Sequence, residues 1–121
     1  MASNKDLKRA YKLAPKTAGV VAIRNTENGR IFLISSLNLH GVLDRHRFQL
    51  EHGSHSIDAL QRDWKELGPA AFSFETVETL PVNEDPAYDY SEDLEILEQI
   101  WIDTLRPFGE GGYNKGKKVR Y

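Results

Sequence analysis

Two kinds of apolar run alternate along the chain, and their spacing predicts its elements. Gly19-Val-Val-Ala-Ile-Arg24 and Arg30-Ile-Phe-Leu-Ile-Ser35 are β-branched and apolar nearly throughout, the pattern of central strands. They flank Asn25-Thr-Glu-Asn28-Gly29, and Asn and Gly tolerate the positive φ that tight turns require, so Gly19 to Ser36 reads as a β-hairpin. Asn38 is placed to cap a helix carrying Val42, Leu43, His46, Arg47 and Leu50 and ending near Gly53. A second helix is expected from Ser56, with Ile57, Leu60, Trp64 and Leu67 on one face and Gly68 as its stop. Phe72 to Leu80 alternates Phe72, Phe74 and Thr76 against Ser73, Glu75 and Val77, the period of a third strand. Pro81 to Tyr90 reads as a loop. Ser91 is expected to cap a last helix, Glu92 to Leu105, with Leu94, Leu97, Trp101 and Leu105 on one face and Pro107 beyond its end. At the amino end Asn4 to Leu13 has the spacing of a short helix stopped by Pro15.

The order is helix, hairpin, two helices, strand, helix. The economical architecture is α/β of the α+β kind: a small three-stranded, mostly antiparallel sheet that begins with a hairpin and is flanked by helices. Residues 1–114 are read as a single domain, and 115–121 as a basic, mobile tail.

Composition narrows the function classes. At 121 residues with 40% hydrophobic and 28% charged positions, the chain suits one folded domain. It has no cysteine, which excludes disulfides and cysteine-based zinc sites and fits a cytoplasmic location. No apolar run approaches the roughly 20 residues of a membrane span, and the polar amino end does not read as a signal peptide. The net charge of −2 conceals an uneven distribution. Lys5, Lys8, Arg9, Lys12 and Lys16 make the start basic, Arg106, Lys115, Lys117, Lys118 and Arg120 the end, and Glu75 to Asp103 is acidic. These are solvated faces, or the two basic ends converge on phosphates.

Chemistry-bearing residues follow the hairpin in order: Ser35-Ser36, Arg45-His46-Arg47, His55, Glu98 and Tyr113-Asn114. Taken singly, His46 and His55 read as surface or helix-end histidines and Glu98 as a solvated edge position. Together, in the register NTENGRIF–ISS–NL–RHR–LE–G–H–LQ–DW–G, followed by an alternating strand, Glu98-Gln-Ile-Trp101-Ile and Gly112-Tyr-Asn114, the chain resembles the GIY-YIG nuclease superfamily from about Gly19 to Asn114. The resemblance implies one divalent cation, Mg²⁺ or Mn²⁺, held by the helix glutamate at Glu98 and polarising a scissile phosphate. It implies nucleic acid, with DNA first, as partner, and no membrane. Tyrosines from the hairpin help activate water in such enzymes, and an arginine of the first long helix steadies the charge on the phosphate.

The sequence departs from that pattern where the chemistry lies. Valine stands for the first-motif tyrosine in Gly19-Val20-Val21, Phe32 for the second tyrosine, Ile34 for glycine, and Val42 at the arginine position. None of these side chains can move a proton. A positioned acid–base group contributes about 10²–10⁴ in rate, and a strong transition-state donor about 10²–10³. Arg45 and His46, three and four residues after Val42, are the substitutes on the same helix face, as phosphate clamp and general base, and His55 in the following turn is a further catalytic candidate. Ser35, Ser36, Arg45, Arg47 and Asn114 are the candidate nucleic-acid contacts. Two functions therefore stand: a metal-dependent endonuclease with impaired or altered catalysis, and a non-catalytic module that uses the nuclease fold to bind nucleic acid or protein, for which the acidic Glu84–Glu95 stretch offers a surface to a basic partner. An active site requires Glu98 to face Arg45 and His46 across a groove, whereas Ile34 filling that groove favours the scaffold.

Overall fold

Val20, Val21, Ala22 and Ile23 are all 0% exposed, so strand β1 (Gly19–Asn25) is covered on both faces and flanked on both edges. Sheet order is β2-β1-β3, with β2 (Ile31–Ser36) and β3 (Phe72–Thr79) both antiparallel to β1. The computed structural model describes residues 17–114; the helix expected over Asn4 to Leu13 and the tail from Lys115 lie outside the described residues. The remaining elements are α1 (Leu39–Glu51), α2 (Asp58–Leu67) and α3 (Ser91–Leu105).

Alternation along β1 assigns the layers. Val20 and Ala22 pack with Ile31, Leu33 and Leu97 beneath α3. Ile23 lies on the other face with Leu50, Leu60 and Trp64 of α1 and α2. Phe72 and Phe74 of β3 join that second cluster, whereas Val77 packs toward α3. Val20 pairs with Glu78 and Val21 with Thr76, so Val77 is the extra residue of a β-bulge. The hairpin turn is tied by Asn25, whose Oδ1 accepts from Glu27 N–H at 2.9 Å, and its positive φ falls on Gly29.

Among the described residues the expected strands and helices are present, with two local differences at helix starts. Asn38 caps α1 as anticipated, its Oδ1 accepting from Gly41 N–H at 3.2 Å. The second helix starts at Asp58 rather than Ser56, because His55 Nδ1 takes the Ile57 N–H at 3.0 Å and holds the preceding residues in a turn. Ser91 is the first residue of α3, not its cap: Tyr90 holds the cap position, and Asp89 Oδ1 accepts from Ser91 N–H at 2.9 Å. Arg106, in the left-handed region with φ 46°, ends α3 ahead of buried Pro107. Beyond Pro107 the chain makes one short 3-10 turn, Gly109–Gly111, and a parallel bridge from Gly112 to Ile31. Among the described residues no helix is long and apolar enough to cross a membrane.

Gly19 is required by close approach: a Cβ there would stand 2.2 Å from the Glu78 carbonyl oxygen, on a backbone that the bulge pins in place. Gly19→Ala is expected to cost about 1–3 kcal/mol through overpacking, read from urea unfolding. A loss below about 0.5 kcal/mol would mean that the edge of β3 yields freely.

Candidate functional site

On the α1/α2 face the site is built around two histidines. His46, half-buried on α1, and His55, buried in the α1–α2 turn, meet with Nδ1 of His46 2.8 Å from Nε2 of His55. His55 Nδ1 already accepts from Ile57 N–H, so in the neutral pair its proton is on Nε2 and is donated to His46. The proton of His46 is then on its own Nε2. Phe32 of β2 sets its ring edge-on to both, with centroids 5.6 and 5.7 Å away. Buried Gln61 fixes the arrangement, its Oε1 accepting from His55 N–H at 2.9 Å and its Nε2 donating to the Leu50 carbonyl at 3.0 Å. Burial first, then the charges of His55 and Arg45, bring the His46 pKa down to about 4, and burial lowers that of His55. Arg45 is itself exposed, and Arg47 places its guanidinium carbon 4.2 Å from the Phe74 ring centroid.

Glu98 belongs to the opposite layer. Ser35 pairs with Val20 and shares its α3-facing side, where the Ser35 hydroxyl donates to Glu98 Oε2 at 2.6 Å. A ligand that touches both Glu98 and the histidines must therefore straddle β2, the edge strand between the layers. Part of that edge is already paired. Asn114 clasps the Leu33 peptide, accepting its N–H at 2.9 Å and donating to its carbonyl at 3.0 Å. The Ser36 hydroxyl is engaged at the start of α1, accepting from Asn38 N–H at 3.0 Å and donating to the Asn38 carbonyl at 3.1 Å.

The positions that carry tyrosine, glycine and arginine in the resemblance come together as well. Val21, Leu39 and Val42 form one buried apolar cluster, against which Ile34 and Leu43 pack. No family model and no curated protein matches the sequence. Among solved structures the chain is similar to the catalytic domain of the homing endonuclease I-TevI, with 27% identity and a TM-score of 0.66 over 83% of this chain and 99% of that one. An alanine mutant of that domain, described as from an intron endonuclease, matches at 27% identity and a TM-score of 0.66 over 85% of this chain and 97% of that one. The chain belongs to the GIY-YIG superfamily.

Within the GIY-YIG fold, two side chains that position the site stand outside the candidate set read from sequence. Gln61 reads there as one polar residue of an amphipathic helix. Tyr113 stands among the chemistry-bearing residues of the sequence with no role attached to it: its hydroxyl donates to Asp63 Oδ2 at 2.6 Å and accepts from Asn25 Nδ2 at 3.0 Å, tying the Gly112–Asn114 segment to α2 and to the hairpin turn. Burial and the neighbouring carboxylate raise the Tyr113 pKa. Neither partnership leaves a local signal, because Tyr113 and Asp63 lie 50 residues apart.

The histidine pair makes stability depend on pH. His46 falls from 6.5 to about 4 on folding, so the unfolded chain binds the extra proton first as pH drops. Its contribution is fully present above pH 6.5 and is lost progressively down to about 4. Urea unfolding at stepped pH is expected to show wild type weakening across that window more than His46→Gln, while the imidazole resonances of His46 titrate near 4. Parallel pH curves for the two proteins would contradict the assignment.

Proposed function

We propose that this GIY-YIG domain binds nucleic acid, with DNA as its first ligand, and that its phosphodiester hydrolysis is impaired. The observation that carries the reading is the cluster of Val21, Ile34, Leu39 and Val42. Side chains that pack on one another stand where proton transfer and phosphate clamping are expected. Losing one such acid–base group costs about 10²–10⁴ in rate.

What is retained supports binding. His46 and His55 stand against Phe32 of β2 on one side, with exposed Arg45 beside His46 in α1, and Ser35 and Glu98 meet on the other side. From Glu66 to Leu105 the sequence contains no Lys, Arg or His, so β3, the loop after it and α3 repel phosphate, while Arg45, Arg47, Arg62 and Lys65 stand on α1 and α2. The residues also fit a hard cation. Glu98 supplies carboxylate oxygens of the kind that Mg²⁺ or Mn²⁺ takes. Among the described residues no three His, Cys, Asp or Glu side chains converge as a metal cluster, so a cation at Glu98 would complete its shell with water and substrate phosphate. A bound cation would supply Lewis-acid polarisation of the phosphate. His46 stays neutral at pH 7, but its lone pair on Nδ1 is taken by His55, so residual general-base work by His46 requires that bond to open, with exposed Arg45 as the phosphate clamp.

Plasmid nicking in Mg²⁺ and in Mn²⁺, wild type against Glu98→Gln, beside duplex binding at stepped salt, tests both halves. Binding is expected to weaken steeply with salt, as counterion release requires, and Arg45→Ala to weaken it further. Glu98-dependent turnover is expected below roughly 0.1 s⁻¹, a typical enzyme rate less the lost group. Rapid Glu98-dependent nicking would overturn the impairment, and absence of binding to both duplex and single strand at low salt would overturn the function.

A further inference from the structure

Phe48 stands on the solvent side of α1, three residues beyond Arg45, and at 59% exposure is the most open aromatic ring among the described residues. It is not a stray apolar side chain. His52, one turn later, stacks on it with ring centroids 4.0 Å apart and planes 26° from parallel. That imidazole is held in turn, its Nδ1 2.8 Å from the Phe48 carbonyl. One face of the phenyl ring is thus backed by a second planar ring, and the rest is open to water.

Two basic side chains and an open depression adjoin the stack. Lys65 reaches across Gly53, immediately after His52, with its Nζ 3.5 Å from where a Cβ on Gly53 would stand. Beside it lies an open depression of ≈ 430 Å³ lined by Gly53, His55, Arg62 and Lys65, with the carboxylates of Asp58 and Glu66. The buried edge of that depression is His55, the inner member of the histidine pair. The depression thus extends from His55 past Arg62 and Lys65 to Gly53, the residue that follows His52 of the stack. Two cations and two carboxylates share the depression, so its charge is nearly balanced, and binding there must come from stacking more than from phosphate.

We propose that the Phe48–His52 stack is a platform for one unpaired nucleobase, which makes single-stranded or locally opened nucleic acid the preferred ligand of this domain. The inference rests on the nucleic-acid-binding reading above and names the form of ligand. A base inside a duplex has both faces covered by its neighbours and offers none to Phe48. An unpaired base has a free π-face, and base–aromatic stacking contributes about 1–3 kcal/mol per base in single-strand binders.

Fluorescence anisotropy with a labelled dT20 strand and with a 20-base-pair duplex tests it, using the full chain. Phe48→Ala is expected to weaken dT20 binding by about 5- to 150-fold, the stacking contribution converted to a ratio, and to leave duplex binding unchanged. The salt slope for dT20 should not change, since no phosphate contact is lost. Phe48→Trp should retain dT20 affinity, and its additional tryptophan emission should be quenched by dT20 and not by the duplex. Unchanged dT20 affinity in Phe48→Ala would overturn the proposal, as would equal losses for strand and duplex. If wild type binds the duplex but not dT20, the platform fails while the nucleic-acid reading stands. If neither binds at low salt, both fail.

Discussion

Burial of β1 on both faces is the constraint on which the molecule depends. A strand with Val20 to Ile23 wholly out of water must have a neighbour on each edge and a helical layer on each side. Its alternation then sends Val20 and Ala22 to α3, and Val21 and Ile23 to α1 and α2. The bulge at Val77 and the absence of a Cβ at Gly19 let β3 close against the start of β1. Each functional side chain inherits its place from this division. Ser35 follows Val20 to the α3 layer and meets Glu98, and Phe32 follows Ile23 to the other layer and meets the histidines.

The same division explains how chemistry and packing compete in this domain. Val21, Ile34 and Val42 lie where the α1 layer meets the sheet, and as apolar groups they close on Leu39 without leaving a polar atom unsatisfied. A tyrosine hydroxyl or guanidinium at these buried positions would have needed a partner or an opening to water. The polar groups that persist are each held by a second group: His55 by Gln61 and the Ile57 amide, Glu98 by Ser35, Tyr113 by Asp63 and Asn25. Such interlocked groups keep their geometry when no ligand is bound. That geometry suits the recognition proposed for this domain, with valine at positions 21 and 42 and phenylalanine at 32, none of which carries a proton.

The fold was legible where the signal is local and periodic. The hairpin from Gly19 to Ser36, the Asn38 cap, the Gly68 stop and the alternating third strand follow from turn chemistry and from periods of 2 and 3.6. Misreadings fell at helix starts, where side-chain bonds two residues away are not visible in the spacing: His55 delays α2, and Tyr90 takes the cap position expected of Ser91, whose N–H goes to Asp89. The family register brought His46, His55, Ser35, Glu98 and Asn114 into view. It did not reveal that the histidines and Glu98 occupy opposite layers, because spacing along a chain carries no sign for the face of a sheet. Gln61 and the Tyr113–Asp63 bond were illegible for a related reason, their partners being set by tertiary packing alone.

The central claim is that this domain meets nucleic acid along the β2 edge and the α1/α2 face, around groups retained from a nuclease site whose proton carriers are gone. Amide and side-chain chemical-shift mapping during titration with a short DNA strand, without added metal, tests it most directly. The account predicts that the largest shifts fall on Ser35, Arg45, His46, Phe48 and His55, with α3 beyond Glu98 and the acidic Pro81–Tyr90 loop left unmoved. Shifts concentrated on that loop and the outer face of α3, or none along β2 and α1 at low salt, would contradict it.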